Sequence, residues 1–236
     1  MAKQSLMKKI PVSLKQNSIY FGGFLTIFIA SIVFLILNGN EAAFISLNSF
    51  HPFYLNVFFI NYTFLGDGIF ALCLVAVVFF YFKKKKLGFA LLYSFLISGL
   101  AVQVIKNLVS AARPKLFFEA GTYLNFIDGV TISNNAAFPS GHTATAFAIA
   151  TVLVLMLKNR KMQLLILMVA VLVGYSRIYL AQHFLLDVIT GALLGTIAGI
   201  LSFYLVQNRI TIKRSIKEMH QLPGSSISSP GSVQTA

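Results

Sequence analysis

The stretch SRIYLAQHFLLDVITGALLGTIAGILSFYLV, residues Ser176–Val206, joins a polar head to an apolar body, and the two halves together decide the reading of the chain. From Val188 to Val206 there are 19 residues without a charge. A helix rises about 1.5 Å per residue, so such a block nearly crosses a hydrocarbon core about 30 Å thick. Two more uncharged blocks of 19 residues run Ile19–Leu37 and Leu87–Ile105. Thr143–Leu157 and Met162–Ser176 hold 15 each, about 22 Å of helix, which stops short of that thickness. Ile69–Phe82 holds 14 and reaches full length only if it begins near Phe64 and takes in Asp67. The expected fold is all-α, a six-transmembrane helix bundle in one membrane domain over residues 19–207. A basic cytoplasmic or interfacial segment, 1–18, precedes it, and a basic, disordered cytoplasmic tail, 208–236, follows.

Of the 236 residues 57% are hydrophobic and 11% charged, against about half and about a quarter in a soluble domain. The net charge of +13 raises nucleic acid as a partner, and the distribution argues against it. Fifteen of the 19 Lys and Arg fall on one side of a six-span topology: Lys3, Lys8, Lys9 and Lys15, then Lys83–Lys86, then Lys158, Arg160 and Lys161, then Arg209, Lys213, Arg214 and Lys217. Short cytoplasmic loops are enriched in these residues, so both termini are expected in the cytoplasm. The remaining four, Lys106, Arg113, Lys115 and Arg177, lie at the opposite, outward helix ends.

Cys73 stands alone in an apolar run, so no intrachain disulfide can form. The first apolar block is longer than the 7–15 residues of a cleavable leader and is read as a retained anchor. Asn38–Leu65, with His51 and Pro52, reads as an outward connection able to hold a short interfacial helix. Ala111–Phe138 is the longest connection between apolar blocks, a length that is often functional. Gln221–Ala236, rich in Ser, Gly and Pro, is expected to be disordered.

Three polar groups share the outward side. Lys106-Asn107-Leu108-Val109-Ser110-Ala111-Ala112-Arg113-Pro114 closes the third block, and a continuing helix would set Lys106 and Arg113 on one face. Alone, these could be cations reaching water from a helix end. Pro139-Ser140-Gly141-His142 opens the fourth block, where free N–H groups and the positive end of the helix dipole favour phosphate. Alone, this could be an ordinary cap. Ser176-Arg177, His183 and Asp187 bridge the last two blocks, with His183 and Asp187 one helical turn apart. A carboxylate on one imidazole nitrogen fixes the tautomer and frees the other nitrogen as base or nucleophile. Together, three cations, two histidines and a carboxylate at one membrane face suit a tetrahedral dianion beside a nucleophile and an acid. Ionisable groups at such depth are costly and usually functional.

Lys106-x6-Arg113-Pro114, Pro139-Ser140-Gly141-His142 and Ser176-Arg177-x5-His183-x3-Asp187 resemble the three-part signature of the type 2 phosphatidic acid phosphatase superfamily, to which vanadium-dependent haloperoxidases and glucose-6-phosphatase also belong. The resemblance covers roughly residues 60–205. Lys115, where a second Arg is common, and Phe184-Leu185-Leu186, in place of a more polar stretch, depart from the pattern. The resemblance implies a membrane phosphatase with His183 as nucleophile, forming a phosphohistidine, Asp187 orienting it, and His142 as acid and then base. Lys106, Arg113, Ser140, Gly141 and Arg177 would hold the phosphate, with no metal and no cofactor. The implied partner is a phospholipid or polyprenyl diphosphate substrate: undecaprenyl diphosphate, phosphatidylglycerol phosphate, phosphatidic acid or a lipid A phosphate. The expected place is the bacterial inner membrane. A lipid-to-lipid phosphotransferase and a transporter are the alternatives; six spans argue against a soluble haloperoxidase.

Overall fold

The computed structural model describes residues 15–118, 126–127, 136–157 and 159–220, the last twelve of these as backbone. Among them all regular structure is helical. The helices are α1 (Ser18–Leu47), α2 (Phe53–Tyr62, prolonged by a 3-10 turn Thr63–Gly66), α3 (Gly68–Ala76, prolonged by a π turn Val77–Tyr81), α4 (Lys85–Leu108), α5 (Pro114–Phe117), α6 (Gly141–Leu157), α7 (Gln163–Tyr179, preceded by a 3-10 turn Arg160–Met162) and α8 (Leu185–His220). Among the described residues four segments are long and apolar enough to cross a membrane: Ser18–Leu47, Lys85–Leu108, Arg160–Tyr179 and Leu185–Asn208. Phe53–Gly66 and Gly68–Tyr81 make a further pair, bent by 58° at Asp67, and α6 is a shorter apolar helix of 17 residues. The outer surface is greasy, with Ile36 75%, Leu37 78% and Phe80 81% exposed, as suits contact with lipid.

Several expectations change. The connection Asn38–Leu65 is largely helical, because α1 runs on to Leu47 and α2 occupies Phe53–Tyr62. The uncharged run Met162–Ser176 underestimates its helix: with its 3-10 turn and Arg177, the segment reaches 20 residues and is long enough to cross. Lys106 and Arg113 do not share a helix face, since α4 ends at Leu108, Val109 is extended, and Arg113 caps the next short helix. Pro114 opens that helix rather than only closing the one before it. α8 continues to His220, so the basic segment after residue 207 begins as helix, while residues 221–236 lie outside the described set.

α6 is the axis of the bundle, with buried side chains from Thr143 to Leu155 on every face. It packs most closely on α8, then on α4 and α7. Gly191, Gly195 and Gly199 of α8 recur every four residues and make that approach possible. A Cβ at Gly191 would stand 2.5 Å from the Ser140 carbonyl, one at Gly195 would strike the Ala144 carbonyl, and one at Gly199 would lie 2.6 Å from Thr151 Cβ. Small residues at this spacing let two backbones touch, which is how helices gain packing energy in lipid. The helices alternate in direction. The site-bearing ends of α4 (Lys106), α6 (His142), α7 (Arg177) and α8 (Asp187) meet at one end of the bundle. At the other end Met156 and Leu157 of α6 line a recess with Lys83–Lys86.

α1 kinks at Gly39, whose φ of +75° is one that side-chain-bearing residues rarely adopt. The kink lays the last turns of α1 over the link between α7 and α8. Phe44 is buried there, 5.3 Å ring to ring from Phe184 and stacked at 5.7 Å on Phe118. The Asn40 side chain accepts from the Leu186 N–H, one of the donors a helix start leaves unpaired.

Candidate active site

The link between α7 and α8 reverses the chain in five residues. Ala181 sits at φ +51°, its N–H donates to the Ile178 carbonyl at 2.9 Å, and the Gln182 N–H donates to the Arg177 carbonyl at 3.0 Å. This is the paired bonding of a helix that ends in a left-handed residue, with alanine where glycine is usual. Asn48 Nδ2 donates to the Ile178 and Tyr179 carbonyls at 2.9 Å each, which further ties down the helix end. The turn sets Arg177 on one side of the reversal and His183 on the other, both buried.

At the start of α8 the Asp187 carboxylate reaches back. Its Oδ2 accepts from the Phe184 N–H at 3.0 Å and stands 3.3 Å from His183 Nδ1. A proton on Nδ1 shared with the carboxylate leaves Nε2 with a lone pair. Burial first, and then the charges of Arg177, Arg113 and Lys106, hold the His183 imidazole well below its ordinary range, so it is neutral at physiological pH.

The opposing wall is the N-terminus of α6. The Ser140 N–H donates to the Asp187 carbonyl at 3.0 Å and links the two helix starts directly. Ser140 Oγ is fully buried and accepts from the Thr143 hydroxyl at 2.9 Å and the Thr143 N–H at 3.4 Å, so its first duty is to cap α6. No acceptor for its own hydroxyl proton stands among the described residues. Gly141 leaves room beside it: a Cβ there would meet only Val102, at 3.8 Å. His142 follows, its side chain 30% exposed.

Three cations close the site. Arg113 is buried and donates through Nη1 to the Gln182 carbonyl at 3.1 Å and the Gln182 side-chain oxygen at 2.9 Å. Arg177 donates to the Thr63 hydroxyl at 2.6 Å, and its Nε, also buried, meets no acceptor among the described residues. Lys106 donates to the Ala136 carbonyl at 3.0 Å. Lys106, Arg113 and Arg177 all lie within electrostatic reach of both histidines. Every sequence-derived site residue, His183, His142, Asp187, Lys106, Arg113, Ser140, Gly141 and Arg177, thus stands at one end of the bundle. Among the described residues no group of three or more His, Cys, Asp or Glu gathers as metal ligands would.

Sequence reasoning missed the supports. Gln182 holds Arg113, Thr63 holds Arg177, and Asp67 stands 3.7 Å from His142 Nε2. Asp67 carried a signal, as a lone carboxylate within an apolar block; Thr63 and Gln182 carried none.

The model of the PAP2 superfamily matches residues 87–211, a range that holds all eight of those residues. Phosphatidylglycerophosphatase B of Bacillus subtilis (strain 168) is 30% identical over 166 residues, covering 65% of this chain and 74% of that protein. The crystal structure of Aquifex aeolicus LpxE superposes with a TM-score of 0.62 at 33% identity, covering 70% of this chain and 94% of that one. That of a transmembrane PAP2 type phosphatidylglycerolphosphate phosphatase from Bacillus subtilis gives 0.56 at 28% identity, covering 83% and 96%.

Proposed function

The chain belongs to the PAP2 superfamily and is an integral membrane lipid phosphatase; on that premise we propose that it hydrolyses a lipid phosphomonoester or diphosphate through a phosphohistidine on His183. The observation that supports this best is the buried His183–Asp187 pair facing His142 across three cations. His183 Nε2 attacks phosphorus in line, the bond to the leaving oxygen breaks, and His142 gives that oxygen its proton. Water then attacks the phosphohistidine while His142 takes a proton back, which releases phosphate and restores both imidazoles. Lys106, Arg113 and Arg177, with the Ser140 hydroxyl and the N–H groups at the start of α6, hold the phosphoryl oxygens. Phosphoryl transfer needs little from a protein beyond positioning and charge stabilisation of this kind. The donors are cations and N–H groups, which suit phosphate directly, so the reaction is proposed to run without a metal.

The proposed topology counts the broken pair α2–α3 and the short α6 as crossings, six in all. The basic end then lies in the cytoplasm and the site on the outer face. The substrate is drawn from undecaprenyl diphosphate, phosphatidylglycerol phosphate, phosphatidic acid and lipid A phosphate. Phosphate release by the purified protein across these four identifies it, and a labelled phosphoryl group appearing on a second lipid instead of in free phosphate would replace hydrolase by phosphotransferase.

Leaving groups test the mechanism. A lipid alkoxide needs a proton to depart and nitrophenolate does not. His142→Ala should lose about 10²–10⁴-fold on a lipid monophosphate and far less on nitrophenyl phosphate. His183→Ala should abolish both. Equal losses on the two substrates for His142→Ala, or turnover by His183→Ala, would overturn the roles.

A further inference from the structure

The break between α2 and α3 lies outside residues 87–211 and outside all three polar motifs, yet it forms a wall of the site. Thr63 accepts the Arg177 hydrogen bond at 2.6 Å. Gly66 lies flat on His142: a Cβ there would stand 2.7 Å from the His142 carbonyl and 3.0 Å from its Cβ. At Asp67 the two oxygens divide their work. Oδ1 accepts from the Ile69 N–H at 2.7 Å and caps α3, while Oδ2 stands 3.7 Å from His142 Nε2, an ion-pair distance and too long for a hydrogen bond. The remaining charged or titratable groups around His142 are Lys106 on α4, Arg113 ahead of α5, Arg177 on α7 and His183 in the link, while Asp187 is bound to His183. A proton on His142 therefore adds a cation to a cluster of three, and Asp67 is the carboxylate in contact to offset it.

We propose that Asp67 is a positioning residue for the reaction, an ion-pair partner for His142 where Asp187 is the hydrogen-bonded partner of His183, and that the broken span delivers it. The site then holds two imidazole–carboxylate pairs with separate tasks. Asp187 keeps the nucleophile in one tautomer, and Asp67 keeps the acid oriented and favours its charged form. Thr63, four residues earlier, locks the same strap to Arg177, so the phosphate-holding cation and the acid share one support.

The proposal rests on reading His142 as the acid, and the experiment separates the two. Asp67→Asn removes the charge and keeps an oxygen able to cap α3. On a lipid monophosphate kcat should fall about 10–100-fold, a part of what general acid catalysis contributes. Nitrophenyl phosphate turnover should fall much less, because its leaving group needs no proton and only the shared water-attack step still calls on His142, and Asp67→Glu should recover much of the lipid activity. In a His142→Ala background Asp67→Asn should cost nothing further, since the group it serves is gone. Thermal unfolding of each variant confirms that the strap still folds. Asp67→Asn with full lipid activity, equal loss on both substrates, or a loss that multiplies with that of His142→Ala would each overturn the proposal. If His142→Ala shows the substrate contrast and Asp67→Asn does not, only Asp67 falls. If His142→Ala shows no contrast, the acid assignment falls and takes this proposal with it.

Discussion

Adding one methyl group at Gly191 should disable the enzyme without unfolding it. A Cβ at this position lies 2.5 Å from the Ser140 carbonyl, 3.2 Å from Thr143 Cβ and 3.4 Å from the Ala144 nitrogen. Carbon–oxygen contacts settle at about 3.3–3.6 Å, so α8 must move off α6 by about 0.8–1.1 Å. The obstacle is backbone and cannot rotate away. Gly191 is one turn beyond Asp187, whose carbonyl takes the Ser140 N–H at 3.0 Å. The displacement stretches that bond to about 4 Å and breaks it. His183 then parts from the α6 N-terminus by about 1 Å, a misplacement that can cost about 10²-fold in rate. Gly191→Ala should therefore lower kcat about 100-fold on lipid and nitrophenyl phosphates alike, because it moves the nucleophile and not the acid alone. Gly199→Ala clashes similarly, with Thr151 Cβ at 2.6 Å, but lies about 12 Å further down the helix. It should lower thermal stability by about 1–3 kcal/mol of overpacking and leave kcat nearly intact. Gly22 and Gly99 have nothing within 4 Å of an added Cβ and serve as controls. Purified variants assayed for kcat and thermal unfolding in one detergent decide it. A Gly191→Ala enzyme within about threefold of wild type, or a Gly22→Ala enzyme equally impaired, would refute the packing argument.

Two further predictions concern topology and metal. In a Cys73→Ser background, Phe126→Cys should react with an impermeant thiol reagent on intact cells and Lys84→Cys should not; the reverse pattern would invert the proposed orientation. Activity should survive a strong chelator and be blocked by vanadate, which matches five-coordinate phosphorus; complete loss with chelator and recovery on adding Mg²⁺ would reject a site built on cations alone.

The three polar groups were legible because their residue types and order carry the chemistry, whatever the backbone between them does. The path between Lys106 and Arg113 was not legible. Seven residues of separation fit one helix face, but the segment before Pro114 is extended, as the residue preceding a proline prefers. Helix lengths were underestimated for a related reason. Counting uncharged residues stops at the first charge, whereas a basic residue can sit inside a helix end, as Lys85 and Lys106 do in α4. The α6–α8 contact was written in Gly191-x3-Gly195-x3-Gly199, a spacing that marks close helix approach in membranes. Asp67 was legible only as an interruption, because its partner His142 is 75 positions away and belongs to another helix.

What unifies the site is which partner each charge is given. The chain has only six acidic residues, and two of them, Asp67 and Asp187, stand at the imidazoles. Among the described residues the acceptors seen on the cations are neutral oxygens: the Thr63 hydroxyl on Arg177, the Ala136 carbonyl on Lys106, and the Gln182 carbonyl and amide among the partners of Arg113. A neutral acceptor fixes a cation's direction and satisfies a donor while leaving its charge largely uncancelled; a carboxylate would cancel it and compete with an incoming anion. In a poorly solvated setting the remaining positive field is strong. A phosphoryl dianion entering between the histidines would offset that field, and its charge in the transition state would be met by donors already oriented. Replacing Thr63 or Gln182 by an acidic residue of similar size should therefore tighten the free protein and weaken phosphate and vanadate binding together, the opposite of what a purely structural role for these oxygens would give.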